Sequence, residues 1–443
     1  MKKKSSSFKH RIIKICVSAF TFIVIGTICL MIPLRPTVSE KEKRELAKFP
    51  SFSFSALFSG DYFADISSWY SDTVPFRDKL MDINTGLQNI LGTSGVKAGF
   101  NEGAAGDEIP IKEDTTGENG ETKAPAEAET LPEVVTYPPD KGDVQNVEKL
   151  GSIVVCDNAG FEYYNFVQST AENYAKTINT AAAKYGENRN VYVSVAPTST
   201  DITMNEKERK KLNMPEQKDA LDYIFSQTSA DVKVFNCFDL IKQHRDEYVY
   251  FRTDHHWTAL GAYYAYNVFC ETKGITPLQL TDYEIWSFDG FLGTFYNESG
   301  SSAMKSTPDR VDAYMPPCTY NMMVTDKSGQ TYELPVFYDE TDAIASNKYS
   351  TFISGDNPFS VITNEDKPEG ESCVVIKESF GNAFVPFLIY HYKTVYVIDY
   401  RYYNGTLGSF LSQYDVNDII FMNNASMTRA DSLVNQLSYF VAG

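Results

Sequence analysis

The chain predicts an α/β fold on a mostly parallel sheet flanked by helices, and three observations carry that expectation. Short β-branched runs recur from Gly151 onward, helical stretches separate several of them, and two chemistry-bearing clusters fall where such strands end. The 443 residues are 43% hydrophobic, enough apolar material for one large domain or two modest ones. A formal net charge of −18 argues against affinity for a phosphate backbone, so nucleic acid is excluded as a partner.

Residues 1–14 form a basic tail with Lys2, Lys3, Lys4, Lys9, Arg11 and Lys14. Residues 15–34 follow without one charged side chain. At 1.5 Å rise per residue such a run spans the roughly 30 Å hydrocarbon core of a membrane. Basic residues before it, with Glu40 and Glu42 after it, predict a cytoplasmic N-terminus and an exported remainder. A cleaved signal peptide is the rival reading; the length of the run and the lack of an A-x-A-like site favour an uncleaved transmembrane anchor.

Residues 35–100 read as a membrane-proximal helical region, with helical charge spacing before Pro50 and a roughly helical period after it. Residues 101–145 differ in kind. They hold twelve acidic and three basic residues, a net of −9, and no aromatic before Tyr137. Too little apolar area is available there to offset chain entropy, which predicts a disordered acidic insert. Residues 146–443 form the α/β domain. Its expected strands are 152–156, 190–197, 231–236, 247–252, 372–379, 394–399 and 418–424. Its expected helices are 168–185, 215–228, 258–272 and 426–440. Residues 277–370 are rich in Gly, Pro, Tyr and Asp and read as a β-rich or irregular insertion. Five cysteines outside the apolar run (Cys156, Cys237, Cys270, Cys318, Cys373) show no metal-type spacing and read as buried small hydrophobes.

The sharpest cluster is Asp254-His255-His256-Trp257, expected just after the 247–252 strand with a helix opening near Thr258. An Asp two positions before a His on a turn can bring its carboxylate to the imidazole and hold one tautomer. The other ring nitrogen is then free to act as general base toward a hydroxyl. His255 points the other way and reads as structural. The second cluster is Lys377-Glu378-Ser379-Phe380-Gly381-Asn382, where an apolar strand runs into a helix. A serine there presents its hydroxyl at the carboxyl end of the sheet, near helix N-terminal amides that suit an oxyanion. Helix N-capping is the plainer role for the same serine. Asn382 offers a further donor. Arg401, directly after the 394–399 strand, either faces an anionic substrate or orients Asp399. Asp254, His255 and His256 could also ligate Zn²⁺, yet no His or Cys cluster completes such a set.

The segments TDHHWT, KESFGNAFVPFL and VIDYRYYNG together resemble the DHHW family of bacterial proteins. That family is similar in turn to the SGNH-hydrolase-like domains of the alginate O-acetyltransferases AlgJ and AlgX. The resemblance covers the chain from about Ser39 to the C-terminus, apart from the acidic insert. It implies an SGNH-hydrolase-like sheet, with Asp254 and His256 as orienter and base, Ser379 as the acylated nucleophile, and Trp257, which closes the motif, as a substrate-binding residue beside Asn382 and Arg401. The sequence departs from the pattern at Glu378, where an Asp is commoner, and shows no SGNH-type Gly and Asn blocks. The expected activity is an extracytoplasmic O-acyltransferase or O-acylesterase acting on a cell-surface glycan, without a cofactor. The resemblance also implies a membrane-bound O-acyltransferase as acyl-donor partner. Two other readings remain open: a non-catalytic glycan-binding or envelope-assembly protein, and a metal-dependent hydrolase.

Overall fold

A computed structural model describes residues 152–443 without a break, together with 38–39, 44–45, 48–49, 69, 73, 106–110, 144 and 147–150. The chain divides into two compact units, Met1–Gly95 and Val96–Gly443, and everything below concerns the second. The expected tail and anchor, and most of 35–100 and of the acidic insert, lie outside the described residues. Among the described residues no helix is long and apolar enough to cross a membrane.

Thirteen strands are described in the second unit. β1 (Val147–Leu150), β2 (Ile153–Cys156) and β3 (Ala159–Glu162) form a small antiparallel sheet of their own. The main sheet has eight strands. Five of them run parallel in the order β12 (Thr394–Asp399), β11 (Ser372–Lys377), β13 (Asp418–Asn424), β4 (Asn190–Ala196) and β5 (Val232–Val234). Beyond β12 the sheet continues antiparallel through β10 (Phe359–Asn364), β8 (Tyr320–Thr325) and β9 (Thr331–Glu333). β6 (Glu284–Phe291) and β7 (Asp309–Met315) make a separate hairpin with a bulge between Asp289 and Phe291, where Gly290 takes φ +83.

The central strands have apolar middles and are buried at nearly every position, which requires cover on both faces. Two helix pairs supply it. α1 (Gln168–Tyr185) packs with α5 (Asp431–Ala442), and α3 (Ala259–Lys273) packs with α4 (Gly381–Leu388). α2 (Gln217–Ser226) packs against α1.

Three expectations need correction. Residues 247–252 form no strand, only isolated bridges such as that between Tyr250 and Trp257. Their run of buried aromatics is as compatible with a buried loop as with a strand. Residues 152–156 supply β2 of the small sheet, not a parallel strand. Within 277–370, three strands are an integral part of the main sheet. One stretch of the acidic insert is also ordered. Asp107 donates its amide to the Phe166 carbonyl (2.9 Å) and accepts the Gln168 amide on its carboxylate (2.9 Å), meeting a free N–H at the start of α1.

Candidate active site

The site is assembled from two turns. The first, 249–258, is a hairpin-like loop closed at its base by the Thr258 amide on the Val249 carbonyl (3.0 Å) and the Thr258 hydroxyl on the Tyr248 carbonyl (2.6 Å). Its tip is held from β7. The buried Asp309 carboxylate accepts from the Thr253 amide (2.7 Å), the Thr253 hydroxyl (2.6 Å), the Arg252 amide (3.0 Å) and the Tyr248 hydroxyl (2.5 Å). Thr258 then caps α3 through its hydroxyl on the Gly261 amide. The second turn follows β11, where Ser379 stands half-exposed between the strand and α4.

These turns bring the three expected residues into one hydrogen-bonded series. His256 Nδ1 lies 2.6 Å from Asp254 Oδ1, and His256 Nε2 lies 2.7 Å from Ser379 Oγ. The same Asp254 oxygen accepts the His256 backbone amide at 3.0 Å. Its other oxygen accepts from the Thr294 amide (2.8 Å) and hydroxyl (3.1 Å). Gly293 makes that approach possible, since a Cβ there would fall 2.2 Å from the Asp254 Cβ. Burial works to raise the Asp254 pKa, but the imidazoles of His256 and His255 and the bonds from His256 and Thr294 outweigh it. The carboxyl is held well below the usual carboxylate range. A charged Asp254 cannot donate, so His256 Nδ1 carries the ring proton and Nε2 offers its lone pair to the serine hydroxyl.

The imidazole is clamped on its faces as well as its edges. Tyr349 stacks on His256 with ring centroids 4.0 Å apart and an interplanar angle of 12°, while its hydroxyl donates to the Ser379 carbonyl (3.0 Å). His255 stacks at 3.9 Å and bonds through Nδ1 to the Thr294 hydroxyl (2.7 Å).

The remaining expected residues do other work. Trp257 is completely buried and donates its indole N–H to the Phe380 carbonyl (2.9 Å). It ties the two turns together and has no surface to offer a substrate. Arg401 does not face outward; its guanidinium bonds Asp399 (2.8 and 2.6 Å) and Asp356 (2.9 Å). Buried Lys377 joins the same carboxylates at 3.0 and 3.3 Å. Asn382 is buried and gives its side-chain N–H to Asp356 (2.9 Å). The expected helix amides are also engaged: Phe380 N–H on Glu378, Gly381 N–H on the Glu378 carbonyl, Asn382 N–H on the Ser379 carbonyl. Burial pushes the Glu378 carboxyl above its ordinary value against the pull of Arg401, the Phe380 amide and the Asn424 side chain.

Asp254, His255 and His256 also place ligand atoms within 4.8 Å of one another. Asp254 Oδ1 and His256 Nδ1 already bond each other, and His255 Nδ1 bonds Thr294. A cation bound there would displace those bonds. Sequence reasoning missed Asp309, Thr294, Gly293 and Tyr349, because each acts on residues far away in the chain and carries no local signature.

Fold and site together define an α/β protein with a serine at the carboxyl end of a parallel strand, in series with a histidine and an aspartate carried on a neighbouring loop. The chain belongs to the DHHW family: that family's model, described as "DHHW protein", matches residues 42–122 and 134–398, well over half of the chain. The match runs through much of the acidic segment and ends at residue 398. The structure is similar to that of a DHHW family protein from Eubacterium siraeum DSM 15702, at 27% identity over 67% of this chain and 98% of that one, with a TM-score of 0.62. It is similar in fold to Bacillus cereus PatB1 solved with a sulfonyl adduct, at 20% identity over 65% of this chain and 98% of that one, TM-score 0.54. The O-acetyltransferase domain of Pseudomonas putida AlgJ aligns at 12% identity over 65% of this chain and 99% of its own, with a TM-score of only 0.37. No curated protein sequence matches the chain.

Proposed function

We propose that the protein is an extracytoplasmic O-acyltransferase or O-acylesterase acting on a cell-surface glycan, with an acyl-serine intermediate. One observation carries the reading: His256 bridges Asp254 and Ser379 with hydrogen bonds of 2.6 and 2.7 Å on opposite ring nitrogens. Ser379 Oγ attacks the acyl carbonyl carbon and its proton passes to His256 Nε2. The leaving group takes that proton as its bond to the acyl carbon breaks. A sugar hydroxyl, or water, then attacks the acyl-serine. Its proton passes through His256 to Ser379 Oγ, which restores the serine. Asp254 holds the imidazole in the tautomer this needs and stabilises the imidazolium that forms. The basic tail and uncharged run of residues 1–34 support a membrane anchor that leaves the site outside the cytoplasm. A membrane-bound acyltransferase delivering the acyl group is part of the same proposal, by analogy with the alginate enzymes.

A non-catalytic glycan-binding protein is favoured by one contrary observation: the amides of Phe380, Gly381 and Asn382, where an oxyanion would be sought, all have intramolecular partners. The two readings separate in one experiment. The full chain is treated with phenylmethylsulfonyl fluoride, and separately with p-nitrophenyl acetate, and its intact mass is measured. One sulfonyl or acetyl group on the wild type and none on Ser379→Ala supports the enzyme. Equal mass gains for the two proteins after treatment remove the serine from the mechanism.

A further inference from the structure

The hydrogen-bond arithmetic around Asp254 settles a second tautomer besides that of His256. The Thr294 hydroxyl has one proton, and it is directed at Asp254 Oδ2 (3.1 Å), because a carboxylate held ionised can only accept. The same hydroxyl oxygen is 2.7 Å from His255 Nδ1, so it accepts there and His255 carries its proton on Nδ1. Burial and the neighbouring His256 both depress the His255 pKa, which favours the neutral ring. His255 Nε2 is therefore a bare lone pair.

Its direction follows from the stacking. Both Nδ1 atoms sit near one oxygen of Asp254, at 2.6 Å for His256 and 3.8 Å for His255. The ring centroids are 3.9 Å apart with planes tilted by 36°. Two rings held at the same edge and laid one on the other put their opposite edges on the same side. That side is where His256 Nε2 meets Ser379. A third of the His255 side chain is exposed (33%), against 8% for His256. One acidic side chain thus holds two overlapping imidazoles tilted by 36°, one at the serine and one beside it and partly exposed.

We infer that His255 Nε2 is a binding group for the acyl acceptor, and that the pair of lone pairs selects adjacent hydroxyls, as in the vicinal diol of a sugar ring. The inference rests on the acyl-serine reading above. Once Ser379 is acylated its proton is gone and His256 Nε2 is free. One acceptor hydroxyl donates to His256 Nε2 and attacks the acyl carbon; its proton passes to His256 and on to Ser379 Oγ as the acyl–serine bond breaks. The neighbouring hydroxyl keeps its proton and donates to His255 Nε2. A monohydric alcohol or water can make only the first of these contacts, and leaves an acceptor without its partner.

The test uses the full-length protein, p-nitrophenyl acetate as donor, and propane-1,2-diol and propan-1-ol as competing acceptors at equal concentration. Propyl acetate and the summed monoacetates of the diol are quantified by gas chromatography. Their ratio per hydroxyl reads partitioning of one acyl-enzyme, so a change in acylation rate does not move it. The wild type is expected to favour the diol by about tenfold, one net hydrogen bond. His255→Phe keeps the stacked ring but loses the acceptor and should bring the ratio near unity, while His255→Gln, whose carbonyl can still accept, keeps part of the preference. A wild type without diol preference overturns the inference with no variant needed, as does a His255→Phe protein that retains it. If Ser379 is acylated but neither alcohol is esterified, water is the acceptor and this inference is overturned while the acyl-serine reading stands. If no acyl-Ser379 forms, or the esters form equally in Ser379→Ala, that reading itself has failed and this inference falls with it.

Discussion

Asp254 determines the protonation pattern of the whole site, and two predictions follow from its environment. Replacing it by Asn leaves the shape but offers His256 Nδ1 an amide that favours the wrong tautomer. Acylation by an activated ester should fall by roughly 10³ to 10⁴, the scale seen when a triad orienter is neutralised. Stopped-flow release of p-nitrophenol measures it, and a loss of less than tenfold would deny Asp254 the orienting role. The second prediction concerns stability. The folded protein holds this carboxyl below its unfolded value, so the folded state binds fewer protons than the unfolded one. The stabilisation is complete above the ordinary Asp range, about pH 4, and drains as pH falls below it. Urea midpoints at pH 6 and pH 3 should therefore differ more for the wild type than for Asp254→Asn. Glu378 has the opposite sign. Burial raises its folded pKa, so it detracts from stability once pH rises above the unfolded value near 4.3. Glu378→Gln should melt higher than wild type at pH 7.5 and show no gain at pH 4; an unchanged or lower melting temperature at pH 7.5 would count against this account.

At the scale of elements, the 249–258 loop is irregular backbone held in place by side chains from elsewhere. One buried Asp309 carboxylate on β7 accepts from the Thr253 amide and hydroxyl and the Arg252 amide and guanidinium within that loop, and from the Tyr248 hydroxyl just before it. Asp309→Ala removes that shared acceptor and should cost about 3 kcal/mol or more in urea unfolding. Esterolysis should fall alongside, since the tip that carries Asp254 and His256 loses its anchor. Trp257 does the complementary job of fastening that loop to the nucleophile turn through the Phe380 carbonyl. Gly381 lets α4 start close to β11, for a Cβ there would lie 2.5 Å from the Lys377 Cβ. Both turns are rigid on account of what surrounds them, and a site built this way needs little rearrangement to react.

Over the whole molecule, the parallel strands form the stable centre and the antiparallel extension forms the edge. β13 is buried at every position, whereas every residue of β9 is exposed. Amide hydrogen exchange should be slowest in β4, β11 and β13 and fastest in β9. A uniform exchange profile across the sheet would contradict that gradient.

Much of this organisation is legible in the chain itself. β12 (Thr394–Asp399), β13 (Asp418–Asn424) and α1 (Gln168–Tyr185) have the bounds their residue patterns predict, because each is a long run of one period. The 247–252 run misleads, since continuous buried aromatics have no period that separates a strand from a packed loop. Asp254 and His256 are two positions apart, so short-range geometry alone makes their hydrogen bond an easy expectation. The strand-to-helix turn at Ser379 is equally local. What no local pattern contains is that Ser379 lies across from His256, a separation of 123 positions. Nor does any pattern reveal that Thr294, 40 positions on, completes the hold on Asp254, or that Asp309 anchors the loop. Those contacts depend on the order in which strands join the sheet and on how the β6–β7 hairpin folds back. The amino-acid order determines the chemical groups and their nearest neighbours. Only the packed fold decides which distant groups meet, because that choice minimises the free energy of the entire core and leaves no trace in any short stretch of residues.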